Sequence, residues 1–108
     1  MTNLTHLTLV QAAEALRAGD ITSRALTQAY LERIETFDRH YHAFLQVDSQ
    51  GALSQAEQAD QILDARRKDG QDVSPLMGIP IAIKDVLAVE GLRCTAGSKI
   101  LATFEPPY

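Results

Sequence analysis

The stretch LMGIPIAIKD at positions 76–85 decides the predicted fold. Residues 79–83 form a continuous apolar run, which is typical of a β-strand that is covered on both faces. Pro80 cannot donate a hydrogen bond to a neighbouring strand, so it should lie near the beginning of this strand or at the edge of a sheet. Lys84 would then stand at the carboxyl end of the strand, where open α/β sheets place their functional sites.

The chain before this stretch has the periodicity of amphipathic helices. Thr8 can cap a first helix that ends at Gly19, and a second helix is predicted over about 23–37, so that the two form a helical hairpin. The short aromatic segment 41–47 roughly alternates between apolar and polar residues, which predicts a strand. A third helix is predicted over about 52–67.

The predicted fold class is therefore α/β, with N-terminal helices packed on the beginning of a mixed β-sheet. The helical region covers about 8–68, and the lysine-motif region at 76–108 contains the second strand. A strand that is apolar on both faces needs neighbouring strands, and this sequence supplies too few of them. We therefore expect the chain to be the opening piece of a larger α/β protein.

The composition of the 108 residues disfavours several classes of protein. The net charge of −4 provides no positive field for a nucleic-acid backbone, so non-specific binding of nucleic acid is disfavoured. A single cysteine excludes an internal disulfide framework and a zinc site built from cysteines. The first residues lack the features of a signal peptide, and no apolar run approaches the roughly 20 residues of a membrane span. We therefore expect a soluble cytoplasmic protein.

Lys84 is the best candidate for a residue that carries chemistry. A lysine side chain in water has a pKa of about 10.4 and is a poor base at neutral pH. Burial in an apolar environment disfavours the charged form and makes the amine a usable base. The alternative is a surface charge at a strand end that pairs with Asp85, and position alone favours this alternative.

Other polar side chains give weaker signals. Ser98 lies in a turn that matches neither G-x-S-x-G nor the phosphate-binding loop, so we expect it to bond the local backbone. Cys94 has no basic partner nearby in sequence and is expected to be a buried, inert thiol. The pair His40 and His42 lacks further metal ligands, and the basic run at 66–68 is expected to be a solvated helix end rather than an RNA contact.

The motif GIPIAIKD at 78–85 resembles the lysine motif of the amidase signature family, and the resemblance continues through 91–108. The runs GSKIL at 97–101 and PPY at 106–108 are most similar to the branch formed by the A subunits of tRNA-dependent amidotransferases. The helical opening also looks like that of the family. The resemblance implies that residues 1–108 are the N-terminal part of a single amidase signature domain.

The resemblance implies a hydrolase with a Ser–cisSer–Lys triad, in which Lys84 is the triad lysine. In the family, the neutral lysine takes a proton through the bridging cis-serine, which in turn activates the nucleophilic serine. Both serines lie in Gly/Ser-rich motifs downstream of the lysine, and this chain reaches Tyr108 without such a motif. We therefore expect the 108 residues alone to be inactive.

For the branch that it resembles most, the family implies hydrolysis of glutamine to supply ammonia for the conversion of misacylated Glu-tRNA(Gln) to Gln-tRNA(Gln). The chain would work with subunits B and C, and the partner would handle most of the ATP and tRNA binding. No cofactor or metal is expected on this chain. Two alternatives remain, namely a stand-alone amidase that hydrolyses small amides and a non-catalytic helical interaction module.

Overall fold

The helices of this computed structural model begin and end at strong local signals. The structure describes residues 3–108, so the first two residues of the segment that lacks signal-peptide features lie outside the described part. Three α-helices and two short 3-10 turns are present among the described residues: α1 at Leu9–Ala18, α2 at Ser23–Tyr41, α3 at Ser49–Lys68, and the turns at Leu4–His6 and Lys99–Leu101.

The described residues divide into two compact units. The helical unit comprises the chain up to Tyr41 together with Ser49–Pro80, and it contains all three α-helices. The loop unit comprises His42–Asp48 and Ile81–Tyr108. Lys84 therefore belongs to the loop unit, whereas the first residues of the lysine motif belong to the helical unit.

Helix α1 confirms the prediction made from its two ends. The hydroxyl of Thr8 accepts a hydrogen bond from the Gln11 backbone N–H at 3.2 Å, and the Gln11 side chain accepts one from the Thr8 N–H at 2.9 Å. This reciprocal pair satisfies two donors that a helix start leaves without partners. At the other end, Gly19 adopts a left-handed conformation with φ 80° and closes the helix.

Helices α2 and α3 are both longer than predicted, and their packing differs from the predicted hairpin. Helix α2 continues to Tyr41, and α3 begins at Ser49. The principal partner of α2 is α3 rather than α1, and α1 also packs against α3, so the predicted hairpin of α1 and α2 is wrong. The small residues Ala56 and Ala59 are buried on α3, which allows its neighbours to approach closely.

The core of the helical unit is made by a few leucines and alanines. Leu16 and Leu26 are fully enclosed, and Ala12 and Leu63 complete the buried cluster. Burial of one such leucine contributes about 1.5–3 kcal/mol to stability. The half-buried apolar residues that pack around this cluster come from the chain before α1, from α2 and the residues just before it, and from the segment after α3: Leu4, Leu7, Ile21, Tyr30, Val73, Met77 and Ile79.

The amino terminus of α2 is held by a carboxylate from α3. Asp60 accepts hydrogen bonds from the Ser23 N–H at 2.6 Å and from the Arg24 N–H at 3.0 Å, and the Thr22 hydroxyl accepts one from the next donor. The buried hydroxyl of Ser23 donates in turn to the Gly78 carbonyl at 2.7 Å. The first residue of the lysine motif is therefore fixed to the beginning of α2.

The predicted α/β fold class is wrong for the described residues. Residues 3–108 contain three α-helices and no β-strand, so there is no mixed sheet for the helices to pack on. In place of the strand predicted at 41–47, α2 runs on to Tyr41, His42 takes a left-handed conformation with φ 51°, and 43–48 are irregular.

The apolar run at 79–83 is not a strand either. Its residues lack regular secondary structure, and Ile81 and Ile83 are 74% and 44% exposed. A strand exists only where the N–H and C=O groups of a second strand lie alongside it, and no segment of the described chain supplies them. Apolar character alone therefore predicted the wrong structure.

None of the helices described for residues 3–108 combines the length and apolar character that crossing a membrane requires.

We expect Asp60→Ala to destabilise the helical unit by about 1–2 kcal/mol, because two backbone donors at the start of α2 lose their acceptor. Alanine is the better helix former, so its propensity works in the opposite direction. Chemical denaturation followed by far-UV circular dichroism measures the change. Glu14→Ala, at an exposed position of α1, is the control, and equal stability of the two variants would refute the role given to Asp60.

We expect Gly78→Ala to destabilise the chain more than Gly70→Ala. Both glycines have positive φ, at 81° and 64°, so each substitution incurs a backbone strain of about 1 kcal/mol. A Cβ at position 78 would also lie 3.1 Å from the Ser23 Cβ and 3.3 Å from the Leu63 Cδ1, whereas a Cβ at position 70 meets open space. Denaturation midpoints that fall equally in both variants would show that this close approach is unimportant.

Candidate functional site

Lys84 opens a tight turn in the loop unit. The Leu87 N–H donates a hydrogen bond to the Lys84 carbonyl at 3.0 Å, and the Lys84 side chain is exposed. No salt bridge or side-chain hydrogen bond of this lysine occurs among residues 3–108, so the predicted alternative, an ion pair with Asp85, is not seen. The assignment of Lys84 as a catalytic base stays a prediction.

The carboxylate of Asp85 binds a turn that follows nine residues later. It accepts hydrogen bonds from the Thr95 N–H at 2.9 Å, from the Thr95 hydroxyl, and from the Gly97 N–H at 3.3 Å. The backbone carbonyl of Asp85 accepts from the Ala96 N–H at 2.9 Å and from the Cys94 thiol at 3.5 Å. We call this set, Asp85 with Cys94–Gly97, the Asp85 clamp.

The turn in the Asp85 clamp depends on two consecutive left-handed residues. Ala96 and Gly97 have φ values of 48° and 70°, and the Ser98 N–H donates to the Thr95 carbonyl at 2.8 Å, as in a type I′ turn. Glycine adopts this conformation without strain, whereas alanine does so at a cost. The turn directs two backbone N–H groups, those of Thr95 and Gly97, toward the carboxylate of Asp85.

These hydrogen bonds hold the pKa of the Asp85 carboxyl below its ordinary value. The hydroxyl of Thr95 contributes most, and the Thr95 backbone N–H comes next. Partial removal from water acts in the opposite direction, and the Gly97 N–H and the positive charge of Arg93 again lower the pKa. All of these donors favour the charged form of the carboxyl, so Asp85 is an anionic acceptor at neutral pH.

An open groove of about 250 Å³ lies beside the Asp85 clamp within the loop unit. Its polar lining includes the cationic side chains of Arg93 and Lys99. The Arg93 N–H donates to the Gln46 side chain at 3.1 Å, and its guanidinium donates to the Ala102 carbonyl at 3.3 Å. The groove can therefore offer positive charge and hydrogen-bond donors, but its carboxylate is already occupied by the clamp.

The sequence pattern of the amidase family, described as Amidase, matches residues 25–108. The chain belongs to the amidase family. This confirms the resemblance that the lysine motif and the runs at 97–101 and 106–108 indicated. No solved structure matches the chain significantly.

Several curated relatives are similar to this amidase family member along its whole length. Three of them are A subunits of a glutamyl-tRNA(Gln) amidotransferase. The chain is 50% identical to the one from Chloroflexus aurantiacus, 45% identical to that of Salinispora arenicola and 42% identical to that of Streptomyces coelicolor, each over 108 residues. These residues make up 21% of each relative. The chain therefore spans about a fifth of the length of the relatives that it matches.

Two of the remaining candidates from the sequence, Ser98 and Cys94, take part in local hydrogen bonds. The Ser98 hydroxyl accepts a hydrogen bond from the Ile100 N–H at 3.2 Å, which confirms the expected bond to the local backbone. Cys94 is half-buried, and its thiol belongs to the Asp85 clamp. His40 and His42 are exposed, and among residues 3–108 no group of three potential metal ligands comes together.

The basic run at 66–68 is more than a solvated helix end. The guanidinium of Arg67 donates to the carbonyls of Arg17 at 3.0 Å and Leu16 at 3.1 Å, so it satisfies acceptors at the end of α1. It also pairs with Asp64 at 2.8 Å. A Cβ added at Gly19 would lie 2.8 Å from the guanidinium carbon, so a side chain at this position would displace the guanidinium.

Sequence reasoning missed the connection between Asp85 and Thr95. It treated Asp85 only as a possible partner of Lys84, and it gave Thr95 no role. The available signal was a short acidic side chain directly after the apolar run, followed by a Thr-Ala-Gly turn. That signal marks a turn that needs an acceptor, but it does not say which of the nearby carboxylates provides it.

We expect Thr95→Val to raise the pKa of Asp85 toward the ordinary value of about 3.9, because the donor with the largest effect is lost. In the native chain the ionised carboxylate stabilises the clamp. This stabilisation is complete at pH values above the ordinary pKa of the carboxyl, and it is lost as the pH falls through the lowered pKa. Carboxyl 13C NMR titration measures both variants. Thr103→Val, at an exposed position of the same unit, should leave the Asp85 titration unchanged, and an unchanged titration in Thr95→Val would contradict the assignment.

Proposed function

We propose that this chain forms the opening part of a glutamine amidohydrolase, the ammonia-supplying component of an amidotransferase that converts Glu-tRNA(Gln) to Gln-tRNA(Gln). The observation that supports this most is the similarity of the entire chain, at 42–50% identity, to proteins named as the A subunits of such amidotransferases. Because the chain spans about a fifth of their length, the proposal concerns a longer polypeptide that contains it.

In this proposal Lys84 is the general base of the hydrolase. Its neutral amine takes a proton through a bridging serine, and a second serine attacks the side-chain amide carbon of glutamine. Formation of the acyl-enzyme releases ammonia, and water then releases glutamate. Both serines would be supplied by the part of the longer polypeptide outside these 108 residues. The exposure of Lys84 in the loop unit leaves its amine accessible to such groups.

The partners follow from the same proposal. The chain would assemble with subunits B and C in the cytoplasm, and those subunits would bind most of the ATP and tRNA, while this chain itself carries no cofactor. The net charge of −4 supports that division of labour, because an acidic chain has little attraction for a tRNA backbone. The ammonia released from glutamine would then be used on the partner side of the complex.

A stand-alone amidase is the second candidate, because the matching family pattern is described only as Amidase. It would use the same lysine and the same pair of serines, so the chemistry of the triad does not separate the two. The difference lies in coupling. A tRNA-dependent enzyme transfers the ammonia to Glu-tRNA(Gln) in the presence of its partners and ATP, whereas a stand-alone amidase releases all of it to solvent.

We expect Lys84→Ala to lower the rate of glutamine hydrolysis by roughly 100- to 10,000-fold in the complete polypeptide assembled with its partners, because the base is removed. Ammonia release measures the rate. Lys68→Ala, at the exposed end of α3, is the control and should retain full activity. The 108 residues alone should release no ammonia. A complete enzyme that keeps its rate after Lys84→Ala would refute the proposal.

A further inference from the structure

We propose that Asp85 and Thr95 are positioning residues for Lys84, and that the hydrogen bond donated by the Thr95 hydroxyl is required for a high catalytic rate but not for substrate binding. This inference rests on the proposed function, because it assumes that the amine of Lys84 acts as a base. It adds two further residues to the reaction, neither of which needs to touch the substrate.

The first argument is the density of bonds at the residue after the lysine. Both the carboxylate and the carbonyl of Asp85 accept hydrogen bonds, and every donor lies in Cys94–Gly97. A residue held through its side chain and its backbone cannot rotate or shift without breaking several bonds at once. Asp85 and the peptide bond that follows it are therefore fixed within the loop unit, and Lys84 is bonded directly to this fixed residue.

The second argument is the turn on the carboxyl side of Lys84. The Leu87 N–H donates to the Lys84 carbonyl at 3.0 Å, so the backbone folds back directly after the lysine. Asp85 is an inner residue of this turn, and the clamp therefore holds the turn that begins at Lys84. The side chain of Lys84 itself makes no side-chain hydrogen bond or ion pair among the described residues.

The third argument is the geometry that a lysine base needs. The lysine side chain is long and flexible, so the position of its amine depends on where its Cα is anchored. A misplacement of about 1 Å at a reacting group lowers rates by up to roughly 100-fold. An anchor made of several hydrogen bonds at the adjacent residue is suited to this requirement, and supporting contacts of this kind hold catalytic groups in productive geometry.

The clamp is also separate from the core that holds the helices together. The buried cluster of the helical unit contains Ala12, Leu16, Leu26 and Leu63, and no residue of the clamp. Thr95 is half-buried rather than enclosed. We therefore expect a loss of its hydroxyl to loosen the clamp while the helical unit stays folded.

The test uses the complete polypeptide assembled with its partners and compares kcat and KM for glutamine hydrolysis among matched variants. Thr95→Val removes the hydroxyl and keeps the shape of the side chain, and it should lower kcat by roughly 10- to 100-fold with KM nearly unchanged. Thr95→Ser keeps the hydroxyl and should restore most of kcat. Thr103→Val, the same substitution at an exposed position of the same unit, should leave both constants unchanged.

Asp85→Asn is the second variant and keeps the experiment decisive if Thr95→Val does not fold. Asparagine keeps only one acceptor oxygen, because its amide nitrogen only donates. It therefore cannot accept from the Thr95 N–H, the Thr95 hydroxyl and the Gly97 N–H together, and kcat should fall in the same direction. A folded Asp85→Asn or Thr95→Val enzyme with unchanged kcat would overturn the inference. A rise in KM at constant kcat would also overturn it, because the residues would then act in binding.

Two further outcomes distinguish the positioning role from the proposed function itself. Equal losses in Thr95→Val and Thr95→Ser would overturn the positioning role, because the effect would then not come from the hydroxyl. Full activity after Lys84→Ala would instead refute the proposed function, whatever the Thr95 variants do. Loss of activity in Lys84→Ala together with full activity in Thr95→Val leaves the proposed function intact and removes only the positioning role.

Discussion

The carboxylate of Asp60 at the amino terminus of α2 is the contact on which the helical unit depends. It accepts from two successive backbone N–H groups, at Ser23 and Arg24, which a helix start leaves without partners. Its negative charge also faces the positive end of the helix dipole. Because Asp60 lies on α3, one side chain both caps α2 and fixes how the two helices meet. Ser23 then extends the constraint to Gly78 through its hydroxyl.

The same physical solution occurs in the loop unit. Backbone outside helices and strands must still find partners for its N–H groups. In the loop unit, Asp85 provides an acceptor for the donors at Thr95 and Gly97, and its carbonyl provides another for Ala96. An aspartate is short and charged, so it binds several donors without the freedom of a longer side chain. Irregular backbone thereby gains a defined geometry next to Lys84.

The predictions from the sequence agree with the structure where the residues that determine a feature lie within a few positions of one another. The ends of α1 depend on Thr8, Gln11 and Gly19, which act within one helical turn, and the sequence predicted them correctly. The strand predictions at 41–47 and 79–83 were wrong because a strand depends on a partner that its own residues do not specify. Helix α2 was predicted too short because Tyr41 was assigned to a strand, and α3 was predicted too short mainly because its start was placed at 52, whereas it begins at Ser49.

The same distinction separates the part of the candidate site that the sequence predicted from the part that it did not. Lys84 was found because a contiguous motif surrounds it, and the family to which the chain belongs was recognisable from that motif and the runs after it. The link from Asp85 to Thr95 was missed because its two ends are separated in sequence and each has other plausible local partners. The hydrogen bonds between Asp85 and Thr95 depend on the turn at Ala96 and Gly97. The left-handed conformation of these two residues is visible only in the structure.

The contact between Gly19 and Arg67 couples the effects of substitutions at two positions that are distant in sequence. The guanidinium of Arg67 occupies the space in which any side chain at position 19 would begin, and it also holds the last carbonyls of α1. A larger residue at 19 would displace the end of the arginine side chain from these carbonyls and would also strain a backbone with φ 80°. The effects of substitutions at the two positions should therefore be non-additive.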